Sequence, residues 1–292
     1  MKLHRIKLVF LCLFICSGVY AQSTSATLIK KVDGFSHPES VVFNDDKNEY
    51  YISNMADEIA GDGFISRVSA EGEIIELKWI DGLKDPKGLL VKDGKVYVTN
   101  NTEVIEISIE NSEITKRIEV EGAKSLNDIT ADAAGNIFIS DSGKSAIYLI
   151  PNDTPNMLMV PENEDGDIIE YLNTTRLEYV NGLYAHKDYL YAAAWGENTN
   201  GNFLKIDMDT REIEKVSKKG IGNLDGVQPV GDDAFYISDW ATGTIYLIEK
   251  DGELKEVLTS EKSSGDILFD AEKNQLVLPM NFQNSVWWYQ LQ

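Results

Sequence analysis

Short runs of alternating apolar and polar residues recur along the chain, and turn-forming residues bound each run. The clearest copy spans residues 124–150, where Asn127-Asp128 precedes ITA, a DAAG turn, the run IFISD and the run AIYLI. Such alternation between Gly, Asp and Asn turns is typical of antiparallel hairpins. Six copies of the pattern align, at steps of 48, 40, 54, 44 and 40 residues, on Glu39, Lys87, Asn127, Asn181, Asp225 and Gly265.

Four short strands are predicted in each copy. The candidates for the fourth strand are, in order, IIELKWI, ITKRIEV, NMLMV, IEKVS and LKEVL. The sixth copy has only three strands, whereas residues 26–32 form an additional strand before the first copy. Repeats of roughly 40 to 50 residues with four strands are the signature of propeller blades, and closing the ring removes an exposed edge. We therefore predict an all-β, six-bladed β-propeller closed by pairing of Ala26–Val32 with the last blade.

Loop lengths indicate which end of the propeller is functional. If each first strand begins at one end of the central channel, the second-to-third loops and the blade-to-blade loops lie at that end, here named the top face. The longer loops assigned to it are 55–63, 196–201 and an acidic insertion at 161–179. Long loops that cluster on one face usually carry function. We expect the site on the top face.

Residues 1–21 are predicted to be a signal peptide. Three basic residues precede the apolar run LVFLCLFIC, and a small-x-small cleavage motif ends at Ala21. Cleavage there would leave a single domain, 22–292, without cysteine, because both cysteines lie in the signal. A lipid anchor on Cys16 stays an alternative, although Ile15 is not the small residue expected before a lipidated cysteine. The expected location is the periplasm or the outside of the cell.

The net charge of the chain limits the classes of partner that it is expected to bind. The formal charge is −21, and removing the three basic residues of the predicted signal makes it −24. An acidic surface argues against nucleic acids and anionic membranes as partners. No stretch after the signal reaches membrane-spanning length. We therefore expect neither nucleic-acid binding nor membrane insertion.

The six aligned positions are expected to converge around the channel axis. Four of them carry side-chain oxygens: Glu39, Asn127, Asn181 and Asp225. Two carboxylates and two amides suit a hard cation such as calcium, which takes six to eight oxygens, and the ring has no His or Cys for zinc or copper. Alternatively, Asn and Asp before Gly serve turns that lead into the strands.

Other residues near this ring are candidates for supporting roles. Lys87 would pair with Glu39 or Asp225, contact an anionic group of a substrate, or extend into solvent. His37 would lie on the same face as Glu39 by strand alternation and act as a base, or else be a simple turn residue. The residues assigned to the ends of second strands are expected to be structural caps of turns: Asn54, Asn100, Asp141, Asp239 and Asn281.

The starts of blades 1, 3, 4 and 5 read ESV, NDI, NGL and DGV. This series resembles the senescence-marker-protein/regucalcin/gluconolactonase family, a six-bladed fold shared with paraoxonase and diisopropyl-fluorophosphatase. The resemblance implies that Glu39, Asn181 and Asp225 are metal ligands. It also implies that Asn127 binds metal or substrate, with Asp128 beside it. Sugar-lactone hydrolases of the family have an arginine where this chain has Ser125, which argues against a sugar lactone.

The resemblance implies a divalent-cation-dependent hydrolase of a small-molecule lactone or ester, with calcium as the expected cation, and the predicted signal peptide would export it. The cation would polarise the carbonyl group, and Asp225 would act as general base or nucleophile. The alternative is a non-catalytic, calcium-containing propeller. It would use Trp195 and Trp240 of the top face to bind a glycan or a protein partner.

Overall fold

The computed structural model describes residues 25–57, 61–152 and 168–292. These residues form six four-stranded antiparallel sheets and two short 3-10 turns, Thr175–Leu177 and Asn281–Gln283. The first strand of each sheet contacts the first strand of the next around a central channel. The predicted all-β, six-bladed propeller is confirmed.

Strands are numbered in chain order, beginning with β1 (Ala26–Asp33). Blade 1 contains β2 (Pro38–Asn44), β3 (Glu49–Asn54), β4 (Gly63–Ser69) and β5 (Ile74–Leu83). Blade 2 contains β6 (Pro86–Lys92), β7 (Lys95–Asn100), β8 (Glu103–Ser108) and β9 (Glu113–Glu119). Blade 3 contains β10 (Leu126–Ala131), β11 (Ile137–Asp141), β12 (Ala146–Ile150) and β13 (Ile169–Asn173).

Blade 4 contains β14 (Val180–His186), β15 (Tyr189–Ala194), β16 (Phe203–Asp207) and β17 (Ile213–Lys215). Blade 5 contains β18 (Leu224–Val230), β19 (Ala234–Asp239), β20 (Thr244–Glu249) and β21 (Leu254–Thr259). Blade 6 contains β22 (Leu268–Asp270), β23 (Gln275–Met280) and β24 (Ser285–Leu291), with β1 as its outer strand.

The ring closes by the predicted pairing of the N-terminal strand. β1 runs antiparallel to β24, with Ala26 opposite Leu291 and Asp33 opposite Ser285. The outer position of blade 6 is thus filled from the start of the chain, which removes the free edge of β24. The predicted signal peptide, 1–21, lies outside the described residues. In the part of the chain that the structure describes, no helix is long and apolar enough to cross a membrane.

Apolar side chains pack between successive blades. Six clusters of buried residues each join two neighbouring blades, and they account for all six blade interfaces. The cluster between blades 6 and 1, for example, packs Tyr50 edge-on against Trp288 with their ring centroids 5.8 Å apart. Because each sheet buries both faces in this way, the second strands, such as FYISD, read as almost continuous apolar runs.

The fourth strand of blade 3 differs from the prediction. It is β13 (Ile169–Asn173), not NMLMV at 156–160, which lies outside the described residues. β13 is an outer strand with only Tyr171 buried, so its apolar signal is weak. β12 ends at Ile150 and β13 begins at Ile169, and both of these strand ends lie opposite the top face. Residues 161–167 of the predicted acidic loop lie outside the described residues, and Ile169–Asn173 forms an outer strand instead of a loop.

A repeated irregularity positions the start of each inner strand. In blades 1 to 5 the register between the first and second strands shifts at one equivalent place. In blade 1 the shift falls between Pro38 and Val41, across Glu39. A β-bulge turns a side chain away from the regular alternation of the strand. The bulges therefore lie at the aligned positions that were expected to converge on the axis.

Candidate metal centre and cavity

The six aligned residues surround one cavity at the top of the channel. The cavity has a volume of about 340 Å³, and all six line it: Glu39, Lys87, Asn127, Asn181, Asp225 and Gly265. The four with side-chain oxygens are each less than a tenth exposed. The six residues that align in the repeats therefore meet at one place in the folded chain, as predicted.

A second ring of side chains lies outside the first. It comes from the residue after each second strand, and five of its members line the cavity: Met55, Ser142, Trp195, Trp240 and Asn281. Their backbone N–H groups donate to equivalent carbonyl groups in the preceding loops, such as Met55 to His37 and Trp240 to Asn223. Trp195 and Asn281 belong to this ring, because β15 ends at Ala194 and β23 at Met280.

Three oxygens of the inner ring are buried without a hydrogen-bond partner. They are Glu39 Oε2, Asn181 Oδ1 and Asp225 Oδ1. Buried polar atoms are almost always paired, because an unpaired one loses its hydration and gains nothing. A cation bound between these oxygens would satisfy all three. The donors are only carboxylates and an amide carbonyl, and this is the set that calcium prefers.

The electrostatics of the inner ring also fit a cation. Burial raises the pKa of Glu39 well above its usual range, and the neighbouring Asp225 and Asp266 raise it further. Burial likewise raises the pKa of Asp225, with Asp266 adding to the effect. Clustered buried carboxylates that destabilise one another's charged forms are typical of metal and catalytic sites. A bound divalent cation would compensate this repulsion.

The glycines that follow Asn181 and Asp225 are needed for close packing and not for turns. Neither Gly182 nor Gly226 has a left-handed backbone conformation, and both lie inside strands. A Cβ on Gly182 would lie 1.8 Å from the carbonyl oxygen of Asp225, and one on Gly226 would lie 2.5 Å from the amide nitrogen of Ile267. The turn interpretation of these Asn-Gly and Asp-Gly pairs is therefore wrong. The glycines let adjacent inner strands approach.

Hydroxyl groups of the second strands hold the inner strands in place. Ser140 Oγ accepts a 2.8 Å hydrogen bond from the amide of Asp128 and donates a 2.6 Å bond to the carbonyl oxygen of Asn181. Ser238 Oγ likewise bridges the amide of Gly226 and the carbonyl oxygen of Gly265. Each of these two hydroxyls connects the inner strand of its own blade to the inner strand of the next blade. The runs IFISD and FYISD already contain them.

Two buried aspartates lie beside the ring. Asp128 accepts backbone hydrogen bonds from Ile129 at 2.7 Å and from Leu183 at 2.6 Å, so its side chain ties blade 3 to blade 4. Asp266, which follows the ring glycine of blade 6, accepts a 2.6 Å bond from Ser40 Oγ. Burial raises the pKa of Asp266 to about 7. The repeat pattern does not mark Asp266 as a site residue, because the aligned residue of its blade is glycine.

Lys87 pairs with a residue that was not predicted. Its Nζ lies 3.2 Å from Asp85 Oδ2 and 3.5 Å from Ser125 Oγ. Its side chain is only 15% exposed, so it neither extends into solvent nor forms a direct ion pair with Glu39 or Asp225. Its charge nevertheless lowers the pKa of both ring carboxyls, against the larger effect of burial.

His37 lies in the loop before β2, with a left-handed backbone at φ 46°. Its Nδ1 is 2.7 Å from the carbonyl oxygen of Ala56, which accepts a hydrogen bond, and its backbone N–H donates to Asn284 Oδ1. His37 is not among the described residues that line the cavity. Its placement is that of a loop residue, and its predicted catalytic role stays a prediction without geometric support.

The ends of the second strands are structural, as predicted, with one exception. Their side chains accept hydrogen bonds from the loop that leads into the first strand of the same blade. Asn100 Oδ1 accepts from Lys84 and Asp85, and Asp141 accepts from Lys124 and Ser125. Asn281 is the exception, because it belongs to the second ring of the cavity.

Aromatic side chains form one side of the cavity. The rings of Trp195 and Trp240 lie 5.5 Å apart at 51°, and Trp240 meets Phe282 edge-on at 4.9 Å and 78°. Tyr179 lines the same side. The opposite side is polar, with Lys87 and Ser125. The cavity is therefore divided into an apolar and a polar half above the ring of oxygens.

The fold is similar to that of several solved propellers. A gluconolactonase from Xanthomonas campestris is 14% identical with a TM-score of 0.70, over 89% of this chain and 88% of that one. A catalytically inactive virginiamycin B lyase from Staphylococcus aureus, solved with quinupristin, is 15% identical with a TM-score of 0.63, over 92% and 100%. An auxiliary nutrient binding protein from Bacteroides thetaiotaomicron is 10% identical with a TM-score of 0.66, over 88% and 70%.

No family model matches the sequence, and no curated protein matches it either. The similarity to solved structures, at 15% identity or less in these three, is one of fold alone. Enzymes and a binding protein share this propeller architecture. The function must therefore be argued from the site.

Proposed function

We propose that this protein is a divalent-cation-dependent hydrolase of a lactone or an ester. The observation that carries the proposal is the set of three unpaired buried oxygens on Glu39, Asn181 and Asp225 at one cavity. Asn127, which lines the same cavity, would add a further oxygen to the cation or contact the substrate. The similarity of fold to a gluconolactonase agrees with this function.

When bound, the cation would supply Lewis-acid polarisation of the substrate carbonyl. Asp225 would take a proton from a water molecule as the water oxygen adds to the carbonyl carbon. The bond from that carbon to the alkoxy oxygen then breaks, and the proton passes to the leaving oxygen. A general base of this kind contributes about a hundredfold or more to the rate. Lys87 would keep positive charge on the polar side of the cavity.

A second candidate function is calcium-dependent binding without catalysis. The aromatic side of the cavity favours it, because aromatic rings bind many ligands, including glycans and partner proteins. The fold similarity to an auxiliary nutrient binding protein agrees with it. In both functions the predicted signal peptide would export the protein, and the ring oxygens would hold calcium.

The test is a calorimetric titration of calcium chloride into chelator-treated protein, followed by an assay of aryl esters, aliphatic lactones and sugar lactones. We expect one site with a Kd of about 10⁻³ M or tighter, as in extracellular calcium modules, and turnover that requires calcium. Asp232→Asn, an exposed change outside the cavity, is the control and should behave as wild type. Calcium binding without turnover would favour the binding protein. Absence of calcium binding would contradict both.

A further inference from the structure

The cavity above the ring of oxygens is chemically asymmetric. Blades 4 and 5 contribute Tyr179, Trp195 and Trp240, and Phe282 of blade 6 packs against Trp240 at the rim. Blades 2 and 3 contribute the polar Lys87, Ser125 and Ser142. A ligand that reaches the oxygens therefore meets apolar rings on one side and hydrogen-bonding groups on the other.

The two aromatic rings at the rim of the cavity are not buried in the core, so core packing does not account for their positions. Phe282 is 50% exposed and Tyr179 is 41% exposed, so both leave apolar area in water next to the cavity. Exposed apolar groups gathered at a concave site usually mark a binding surface. Tyr179 is also held in a left-handed conformation at φ 59°, directly after Glu178 at φ 52°.

The left-handed segment is fixed by its surroundings. The amide of Tyr179 donates to Ser145 Oγ at 2.9 Å, and its carbonyl accepts from Trp195 at 3.0 Å. The carboxylate of Glu178 accepts from Asn202 at 2.7 Å and pairs with Lys215 at 2.5 Å. Unfavourable backbone conformations that the surroundings fix in this way are common at ligand sites. The Tyr179 ring is thus held at the edge of the cavity.

The arrangement of the rings favours an alkyl or aryl group over a sugar. Sugars stack on flat, open ring faces and need many hydrogen-bonding side chains around them. Here Trp195, Trp240 and Phe282 pack on one another at 51° and 78°, so they form a herringbone wall. The side chains of that wall offer few hydrogen bonds. Among the described residues, none of the arginines lines the cavity: Arg67, Arg117, Arg176 and Arg211.

We propose that the substrate is a lactone or ester with a large apolar substituent, which lies against Tyr179, Trp195, Trp240 and Phe282. This inference rests on the proposed hydrolase function. The carbonyl group would lie at the ring of oxygens, and the substituent would extend along blades 4 to 6 towards the rim. Each methylene group that leaves water on the apolar wall adds to the binding free energy, so preference should rise with chain length.

The first test compares two γ-lactones, one with a methyl and one with a hexyl substituent, and a sugar lactone as a third substrate. Wild type should prefer the hexyl compound by at least about tenfold in kcat/KM. Trp240→Ala and Phe282→Ala should each reduce that preference severalfold, mainly through KM. Ile29→Ala is the matched control, because Ile29 is 51% exposed, close to the 50% of Phe282, and lies on β1.

The second test measures binding without turnover. Lactams with the same two substituents resist hydrolysis, and the tryptophan emission of the calcium-loaded protein reports their binding near Trp195 and Trp240. If no substrate is hydrolysed but the hexyl lactam binds at least about tenfold more tightly than the methyl lactam, the hydrolase proposal fails and the apolar site stands.

Two results would overturn the inference. One is equal binding of both lactams together with equal hydrolysis of both γ-lactones. The other is a preference for the sugar lactone that Trp240→Ala and Phe282→Ala leave unchanged. The Phe282→Ala variant keeps the test valid if Trp240→Ala does not fold, because Phe282 is half exposed.

Discussion

The pair Glu39 and Asp225 makes the site unusual at the level of single residues. Both carboxylates are buried, both have a raised pKa, and each leaves one oxygen without a partner. A buried carboxylate with a raised pKa and an oxygen without a partner both cost free energy in a protein without a ligand. Both features are explained if the residues bind a cation in the functional state.

Replacing Asp225 by Asn separates metal binding from catalysis. Asn keeps an oxygen and nearly the same volume but removes the charge and the basic site, so calcium affinity should fall while the fold persists. Hydrolysis should fall by at least about a hundredfold even at saturating calcium, the lower end of what a general base contributes. Calorimetry and steady-state kinetics measure the two effects. Full turnover at saturating calcium would remove Asp225 from the chemistry.

The raised pKa of Asp266 predicts a pH dependence of stability in the chelator-treated protein. Its folded pKa of about 7 exceeds the ordinary 3.8, so the native state binds the proton more tightly. The resulting stabilisation is fully present below pH 3.8 and is lost as the pH rises through 7. Asp266→Asn should flatten this decline and raise the unfolding free energy at pH 8 by up to about 4 kcal/mol. Denaturant titrations of wild type and Asp266→Asn at pH 5 and pH 8 test this prediction. An equal change in unfolding free energy between the two pH values in both proteins would refute it.

At the scale of strands, the sequence predicts the site better than its surroundings. The ring residues are readable because they recur at one repeat position in front of an apolar strand. The packing role of the glycines cannot be predicted from the sequence. The close approach of Gly182 to Asp225 arises only when the neighbouring blade packs against this one. Asp266 was missed for a related reason. Its burial comes from packing against Ser40 of blade 1.

The outer strands are the least predictable elements. In β13 only Tyr171 is buried, so its apolar pattern is weaker still than that of the predicted strand NMLMV. Outer strands of blades are half exposed, so their hydrophobic signal competes poorly with nearby apolar runs. The second strands are almost entirely buried, and the sequence predicts their ends to within one residue.

The serine residues of the second strands give a testable structural prediction. Ser140→Ala would leave the amide of Asp128 and the carbonyl of Asn181 without their buried partner. We expect a loss of about 2 kcal/mol in unfolding free energy, because unpaired buried groups cost about 1 to 3 kcal/mol. Thermal and denaturant unfolding measure it, with Ser108→Ala at the end of β8 in blade 2 as control. A loss no larger than that of the control would contradict the role of Ser140.

At the scale of the whole molecule, the number of blades and the closure follow from counting strands. The sixth repeat has three strands, and the surplus N-terminal strand completes it, as the pairing of Ala26 with Leu291 confirms. The nature of the substrate cannot be predicted from the number and order of the strands. The herringbone wall arises from side chains of three blades that are adjacent only in the folded ring.

A truncated chain that begins at Asp33 tests the closure. Without β1, the edge of β24 and the ring of Trp287 lose their cover, since Lys31 Nζ lies 3.3 Å above that ring. We expect a lower melting temperature and concentration-dependent aggregation from the exposed edge. A chain that begins at Ser25 is the control, because it keeps β1 complete. Equal melting temperatures and equal light scattering of the two chains would disprove the stabilising role of closure.

The most direct test of the central claim is a crystal structure of the protein grown with calcium. We predict one cation at the top of the channel, about 2.3–2.6 Å from Glu39 Oε2, Asn181 Oδ1 and Asp225 Oδ1, the distances typical of calcium-oxygen bonds. The anomalous signal of calcium would identify the ion. A cavity with no calcium at saturating concentration, or calcium bound only away from these three oxygens, would contradict the metal centre and the function proposed from it.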